Sequence, residues 1–547
     1  MMVFKARREA VSLYLLVALP ILLLVFYDWL SSTGDLSAFP AMRLCLASRL
    51  ESGVSPYSGF FTFDSPLTLY LGALPAFASK AFIAMGLPLA VVSSFKVLLG
   101  LLICLSLSAC ISIVYGARKL EGELPLQQSD GTSLSATCAA LAPAFLLSHY
   151  LVRFQWGDEQ HLFLLFFCPY LFMRWLSFAG IRYGGFLSFV SAFFAGLAAG
   201  LDIVFLPLVL GHEILVQWRA RKVSIDSACW GLIGGFLISL VLIAFLPEVA
   251  KEKFLQFVLP LRVMKLGLFD DAMTNISCAP DLRYQLIFFT ASMFAGLLSL
   301  RKNILLAPFM YLACAGLVLY AAEMRGLSSD LVITLFASGM TIIISTFTYV
   351  RILLHKPMAM TIISVILLFA SGSLFISSRR AIDDSLSLPA VLRRNADPDL
   401  AEVLNNETKP GQQVLIVSHF PEAAYPSLLY YDRKQAGYLT YGEPLHLLLS
   451  LRTNAPTRAF AENGVKFLAE MIRKDLESDK IKLMLIHLNH EVEDLKTIGL
   501  AYFLDVKYTE FGKAYYYTRN REPKESNGLR LPFIIYRLDG KLDEVSR

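Results

Sequence analysis

Long apolar runs, separated by short polar or charged segments, fill the chain from residue 12 to about residue 377. A run of about 20 apolar residues is long enough to cross the roughly 30 Å hydrocarbon core of a membrane as a helix. We therefore predict a polytopic α-helical membrane protein. Its eleven predicted spans are 12–29, 90–115, 134–152, 160–177, 184–201, 203–217, 228–247, 284–300, 303–321, 329–349 and 357–377.

The pattern changes after residue 377. A polar connector leads into a tail in which strand-like runs, QQVLIVS, KLMLIHL and PFIIYRL, alternate with amphipathic helical patterns such as ENGVKFLAEMIRKDLES. Such alternation is typical of a small α/β or α+β domain. The chain therefore divides into a transmembrane domain, 1–377, and a soluble domain, 378–547.

Composition supports this division. The hydrophobic fraction is 56% and charged residues are only 17%, outside the usual balance of soluble domains. The net charge of +5 arises from short basic clusters that flank the apolar runs, and no basic face is formed. The clusters are typical of topology signals, so no nucleic-acid partner is expected and the lipid bilayer is the expected surroundings.

The basic clusters predict an orientation. If each is cytoplasmic, the N-terminus lies in the cytoplasm of a multi-pass plasma (inner) membrane protein, and the C-terminal domain is extracytoplasmic or periplasmic. The segments then assigned to the outer side are 30–89, 153–159, 248–283, 322–328 and the tail from 378. This requires 65–84 to lie along the outer interface or to re-enter rather than cross.

The outer loop 30–89 carries the most informative pattern. Asp35 follows a glycine just after the first span, and Asp64 stands in the turn Phe63-Asp64-Ser65-Pro66-Leu67 before the next apolar run. Between them, apolar residues at 39, 42, 46 and 50 have helical spacing. That spacing predicts an amphipathic helix on the membrane surface.

These motifs resemble those of the GT-C superfamily of membrane glycosyltransferases, in particular its aminoarabinose transferase and protein O-mannosyltransferase branches. A second match is Arg153-Phe-Gln-Trp-Gly-Asp158, followed by an apolar run. The resemblance covers residues 1 to about 180 by motif and the rest by topology only. The chain departs from it at Leu36, where a second acid is frequent, and at Ser65, where a lysine is common.

The resemblance implies a sugar transfer from a polyprenyl-phosphate donor to an envelope acceptor, a lipid, polysaccharide or protein, on the non-cytoplasmic face, with inversion at the anomeric carbon. It makes Asp35 the general base, with Asp64 and Asp158 as further catalytic candidates. Other interpretations stay open: Asp64 as a turn acid bonded to its own backbone, and Asp158 and Glu159 as caps at the positive end of a helix dipole.

A departing lipid phosphate requires cations facing the outer side. Each cation also fits a second role, in which its side chain reaches to lipid headgroups. His149, His161 and Asp202 are expected to be satisfied within the bundle. The sequence contains no metal-ligand cluster and calls for no cofactor, although a need for a divalent metal stays open. The candidates for binding phosphate or sugar are Arg43, Arg153, Glu159, Lys251, Lys253, Arg262 and Lys265.

Two other function classes remain. A lipid or solute transporter is expected to carry polar residues in the middle of its spans, and Lys96 is the main charged residue placed there. A non-catalytic GT-C-like scaffold of the envelope would tolerate the departures at Leu36 and Ser65.

Overall fold

The structure is a computed structural model of the chain. It describes residues 36–87, 90–121, 132–152, 155–178, 181, 183–221, 225–265, 280–301, 303, 305–323, 331–354, 398–418, 421, 424–425, 427–477, 481, 483–487, 491–500, 508–517 and 530–538. The predicted spans 12–29 and 357–377 lie outside these ranges, as do Asp35 and Arg153.

The N-terminal part is helical. Its helices are α1 (Ala38–Glu51), α2 (Pro66–Ala84), α3 (Val91–Glu121), α4 (Thr132–Leu151), α5 (Glu159–Phe178), α6 (Gly185–Leu201), α7 (Leu206–Ala220), α8 (Ser227–Ala244), α9 (Glu248–Lys253), α10 (Leu259–Lys265), α11 (Pro280–Leu300), α12 (Leu306–Glu323) and α13 (Val332–Leu354). A 3₁₀ turn, Ile203–Phe205, precedes α7, and a π-helical turn, Phe254–Val258, joins α9 to α10.

Every predicted span within the described residues coincides with one of these helices. Among those residues, four helices are long and apolar enough to cross a membrane: Pro66–Ala84, Val91–Ala117, Ser227–Ala244 and Val332–Val350. Shorter apolar helices occupy Ala140–His149, Gly185–Leu201, Tyr284–Leu300 and Leu306–Ala322. The helical, membrane-compatible character is therefore confirmed, and the crossing of eleven spans stays a prediction.

The contacts fix the directions of neighbouring helices. Phe95, near the start of α3, lies against Gly157, which precedes α5. Further along, Ser106 Oγ donates to Leu165 O at 2.7 Å, and Tyr183 OH donates to Ile113 O near the opposite end of α3. Residue numbers rise together along these contacts, so helices α3 and α5 are parallel. We call the end of the bundle that holds Gly157 the domain end and the opposite end the far end.

Helices α6 and α8 pack closely through glycines. A Cβ at Gly235 would lie 1.9 Å from Phe193 O, and one at Gly196 would lie 2.2 Å from Leu232 O. Only residues without a side chain permit such an approach of two backbones, which is the packing mode that replaces hydrophobic association when helices lie in lipid.

Helix α2 occupies the segment 65–84, for which the sequence predicts an interfacial or re-entrant position. Its first turn is tied to the end of α6, since Thr68 Oγ1 donates to Leu201 O at 2.6 Å. Its middle residues Ala73 and Ala76 pack with Val91 at the start of α3. The N-terminal half of α2 therefore stays at the domain end, although its length and composition also fit a span.

The C-terminal part folds around a five-stranded mixed sheet in the order β2-β1-β3-β5-β4. Strand β1 pairs in parallel with β2 and β3, while β5 pairs antiparallel with β3 and β4. Its elements are α14 (Pro398–Glu407), β1 (Gln413–Val417), α15 (Ser427–Tyr430), β2 (Lys434–Gln435), α16 (Glu443–Leu451), α17 (Arg458–Glu477), β3 (Leu483–His487), α18 (Glu491–Thr497), β4 (Tyr508–Tyr517) and β5 (Arg530–Leu538). The predicted strand-like runs are strands.

This C-terminal part packs on the domain end of the bundle. Phe61 N donates to Tyr438 O at 2.6 Å, and Thr440 Oγ1 donates to Phe61 O at 2.8 Å. The ring of Phe257 stacks on Phe467 of α17, with centroids 5.1 Å apart. Parts of the outer segments 30–89 and 248–283 and of the tail, which the sequence assigns to one side of the membrane, therefore lie together.

Helix α1 corrects one expectation. The sequence predicts an amphipathic helix on the membrane surface, but α1 is buried over most of its circumference, including Arg43, Leu44 and Leu46. It packs on α2 on one side and on the C-terminal part on the other, where Arg49 Nη1 donates to Gly437 O at 2.7 Å. The C-terminal part of the protein therefore covers a face of α1 that the pattern predicts to be exposed on the membrane surface.

Candidate active site

Arg43 is the centre of a charged cluster at the domain end. Its Nη2 donates to Asp64 Oδ1 at 2.9 Å and to Glu159 Oε1 at 2.6 Å. The Arg43 side chain is 1% exposed and that of Asp64 is 4% exposed. Because an unpaired charge is costly to bury, this guanidinium depends on both carboxyl groups. Helix α2 makes room for it at Gly72, where a Cβ would lie 2.7 Å from Arg43 Cδ.

The turn before α2 positions Asp64. Tyr57, held at a φ of 64°, donates from its hydroxyl to Asp64 O at 2.7 Å, and Asp64 N donates to Thr62 Oγ1 at 3.2 Å. Ser65 then caps α2 by accepting from Thr68 N, and its hydroxyl donates to Gly200 O at 3.2 Å. The backbone N and O of Asp64 thus bond to Thr62 and Tyr57, while its carboxylate accepts from Arg43.

The start of α5 supplies the other carboxyl groups. Gly157 turns the chain at a φ of 87°, after which Asp158 accepts a hydrogen bond from Ser37 Oγ at 3.3 Å. Glu159, the first residue of α5, extends to Arg43. The alternative that both acids serve only as helix caps does not describe Glu159, whose side chain joins α5 to α1.

A second buried ion pair lies beside the first. Arg262 Nη2 of α10 donates to Asp202 Oδ2, and Asp202 also caps the 3₁₀ turn by accepting from Val204 N at 3.2 Å. Both charges act electrostatically on Glu159. The sequence analysis left Asp202 out of the site, although it is the acid that ends the apolar run of α6. Only the packing of α10 against that end reveals its partner.

The two carboxyl groups around Arg43 differ in proton affinity. Burial raises the pKa of Glu159 well above its usual value; the charge of Arg43 opposes this rise, and the neighbouring Asp64 and Asp202 carboxylates add to it. Burial also opposes ionisation of Asp64, but the charge of Arg43 and hydrogen bonds from Arg43 and Glu159 hold its pKa below the usual value. Glu159 therefore binds its proton more tightly than Asp64, the direction of difference that acid–base chemistry needs.

The cluster also has unused donors. Within the part of the chain that the structure describes, Nε and Nη1 of Arg43 have no hydrogen-bond acceptor. Buried polar atoms are rarely left unsatisfied in native proteins, so such donors mark a place where a bound group fits. Over the same residues, no group of three or more histidine, cysteine, aspartate or glutamate side chains is arranged to hold a metal ion.

The remaining predicted site residues lie elsewhere or outside the description. Lys251 pairs with Glu248 at 3.2 Å, and Lys253 Nζ lies 4.4 Å from the centroid of the Phe467 ring. Both lysines lie at the domain end although, among the described residues, neither pairs with Arg43. Asp35 and Arg153 are outside the described residues, as is the side chain of Lys265. Their assigned roles stay predictions.

The segment that carries these lysines also reaches the Asp64 turn. The ring of Phe254 lies against that of Tyr57, with centroids 4.9 Å apart.

His149 and His161, which the sequence predicts to be satisfied within the bundle, are buried, and His149 Nδ1 contacts Phe145 O at 2.8 Å.

No protein-family model matches this chain, and no curated protein matches it.

Proposed function

We propose that this protein is a GT-C-type membrane glycosyltransferase that moves a sugar from a polyprenyl-phosphate donor to an envelope acceptor. The observation that supports this most is the convergence of Asp64 and Glu159, from two distant loops, on the buried Arg43. The GT-C-like motifs of the sequence fall on these same loops. A site of paired carboxyl groups and guanidinium groups, at one end of an apolar helix bundle, suits chemistry on a lipid-linked phosphate.

The proposed reaction is a single displacement. A hydroxyl or amine of the acceptor attacks the anomeric carbon, the bond from that carbon to the phosphate oxygen breaks, and the lipid phosphate leaves with both bonding electrons. The acceptor's proton passes to a carboxylate. Asp64, whose pKa the charge of Arg43 lowers, is one candidate for this base. The resemblance assigns the base to Asp35, two residues before the Ser37 that donates to Asp158.

The cations of the cluster stabilise the leaving group. Arg43 has two donors without an acceptor in the described residues, and Arg262 lies in the neighbouring ion pair. Donors that are fixed before the reaction stabilise developing negative charge without the cost of reorganising water. Lys251 and Lys253, on α9 at the same end, are the proposed contacts for the rest of the donor.

The membrane location is part of the proposal. The apolar helices support membrane association. The basic clusters favour a cytoplasmic far end, so the proposal assigns the domain end and the C-terminal part to the periplasmic side.

Sugar transfer by the purified full-length protein tests the function. The substrates are a polyprenyl-phosphate sugar and an envelope fraction as acceptor, and the variants are D64N, D35N and E159Q. D64N and D35N each keep the shape of the carboxylate and remove its charge, so the variant that loses transfer identifies the base. E462Q, on the exposed face of α17, is the matched control.

The outcomes separate the function from its alternatives. Transfer that falls by about a hundredfold or more in one aspartate variant, with the control unchanged, supports the enzyme. Transfer that is absent in the wild type with every donor and acceptor, together with a copurified solute other than a polyprenyl lipid, contradicts it and favours transport.

A further inference from the structure

A cavity of about 920 Å³ lies at the far end of the bundle, away from the Arg43 cluster. It is bordered by the end of α5, the second half of α7 and the start of α12, through residues that include Trp175, His212, Arg219, Arg221 and Tyr311. The sequence predicts that this end faces the cytoplasm. The proposed glycosyl transfer makes no use of this cavity.

The described residues that line the cavity include two arginines, Arg219 and Arg221, and no acid. Arg174 is joined to two acids: it donates to Glu213 at 3.0 Å and to Asp226 at 2.5 Å. These two carboxylates are therefore engaged with Arg174. Arg219 and Arg221 are exposed at the mouth, with Arg219 over the Trp175 ring at 5.4 Å. The mouth favours an anion.

The inner part of the cavity presents a buried histidine. His212 is fully buried and its ring contacts the rings of Phe167, Tyr170, Trp175 and Tyr311, with centroids 5.5 to 6.3 Å away. Within the described residues, neither of its ring nitrogens has a hydrogen-bond partner. Leaving such a group unsatisfied costs free energy, so an oxygen of a molecule in the cavity would relieve this cost.

The outer wall of the cavity is apolar and open to the surroundings of the bundle. Trp218 is 77% exposed and Ile214 is 66% exposed, and both line the cavity. His212 lies seven residues before Arg219 in α7, about 10 Å deeper at 1.5 Å per residue. The cavity thus has a cationic mouth and an apolar wall along one helix, the arrangement that fits an amphiphile with an anionic head.

We propose that this cavity binds an anionic phospholipid from the adjacent leaflet. The phosphate lies between Arg219 and Arg221, the first carbons of an acyl chain lie along Ile214 and Trp218, and an ester oxygen accepts from the imidazole of His212. Guanidinium groups suit phosphate oxygens because they donate two parallel hydrogen bonds. A soluble phosphate would satisfy the arginines and leave the apolar wall unused.

Lipid titration of the full-length protein in detergent, followed by native mass spectrometry, tests the proposal. We expect phosphatidylglycerol to bind more tightly than phosphatidylcholine. R219A and R221A should each weaken binding of phosphatidylglycerol about fivefold, because each basic residue near a lipid surface contributes about that factor. The effect on phosphatidylcholine should be smaller, because its choline cation offsets the charge of its phosphate. R301A removes an equal charge from the end of α11 and is the control.

Two further measurements separate the alternatives. H212F keeps an aromatic ring of similar size and removes the hydrogen-bond donor. It should therefore weaken the binding of phosphatidylglycerol even though both arginines are still present. Inorganic phosphate could also raise the melting temperature of the wild type as much as phosphatidylglycerol does. If that rise were lost in R219A and R221A, the site would belong to a soluble anion and the proposal would be overturned. Equal binding of the two lipids by the wild type, or R219A and R221A behaving like R301A, would overturn it as well.

Discussion

Arg43 and Glu159, 116 residues apart in the chain, meet through a 2.6 Å hydrogen bond from Nη2 to Oε1. This contact ties α1 to the first residue of α5, and Asp64 binds the same nitrogen from the turn before α2. Three segments that are far apart in the sequence are thereby held together at one point.

Removal of Arg43 should destabilise the fold. R43M leaves the Asp64 carboxylate buried without a counter-charge, which costs about 3–5 kcal/mol of the free energy of unfolding. Thermal unfolding in detergent measures the loss. The triple variant R43M/D64N/E159Q removes the carboxyl charges as well and should regain a large part of the stability. A triple variant no more stable than R43M would show that the ion pair is not the cause.

The stability of the wild type should depend on pH in two directions. The pKa of Asp64 is lowered by folding, so its contribution is present above the usual aspartate pKa of about 3.9 and is lost as the pH falls. The pKa of Glu159 is raised by folding, so its contribution is present below about 4.3 and is lost as the pH rises.

Melting temperatures of D64N and E159Q between pH 3 and pH 8 check these signs. D64N should remove the loss on the acid side, and E159Q should remove the loss on the alkaline side. Parallel curves for wild type and both variants would contradict the directions of the two pKa shifts.

Ser65 should act as a helix cap at the position where the resemblance expects a lysine. S65A removes the acceptor of Thr68 N and the donor to Gly200 O, and should lower the stability by about 1 kcal/mol. S65T keeps the hydroxyl and is the control in the same thermal assay. Equal melting temperatures for S65A and wild type would leave the capping role without support.

The approach of α6 to α8 should depend on Gly235 and not on its neighbour. In G235A the new Cβ meets Phe193 O, whereas in G234A the nearest atom is Phe193 Cδ2 at an ordinary 3.7 Å. Overpacking of this kind costs about 1–3 kcal/mol, so G235A should melt at a lower temperature than G234A. The opposite order would show that the two helices are not in the close contact described.

The helices and strands were predictable because their signals are local. Apolar runs such as those of α3 and α8 predict helices from residues that are adjacent in the chain, and the runs of β1, β3 and β5 predict strands in the same way. The burial of α1 was not predictable, since its apolar pattern describes one face and cannot identify the C-terminal layer that covers the other.

Most residues of the candidate site were predictable from the sequence, but their contacts were not. The sequence by itself assigned Arg43, Asp64, Asp158, Glu159 and Arg262 to segments on one side of the predicted spans, because the basic clusters predict which side each segment faces. Only the tertiary structure decided that Arg43 joins Asp64 to Glu159 and that Asp202 is the partner of Arg262. Ion pairs are set by distances of a few ångströms between side chains far apart in sequence, and those distances exist only after the helices have packed.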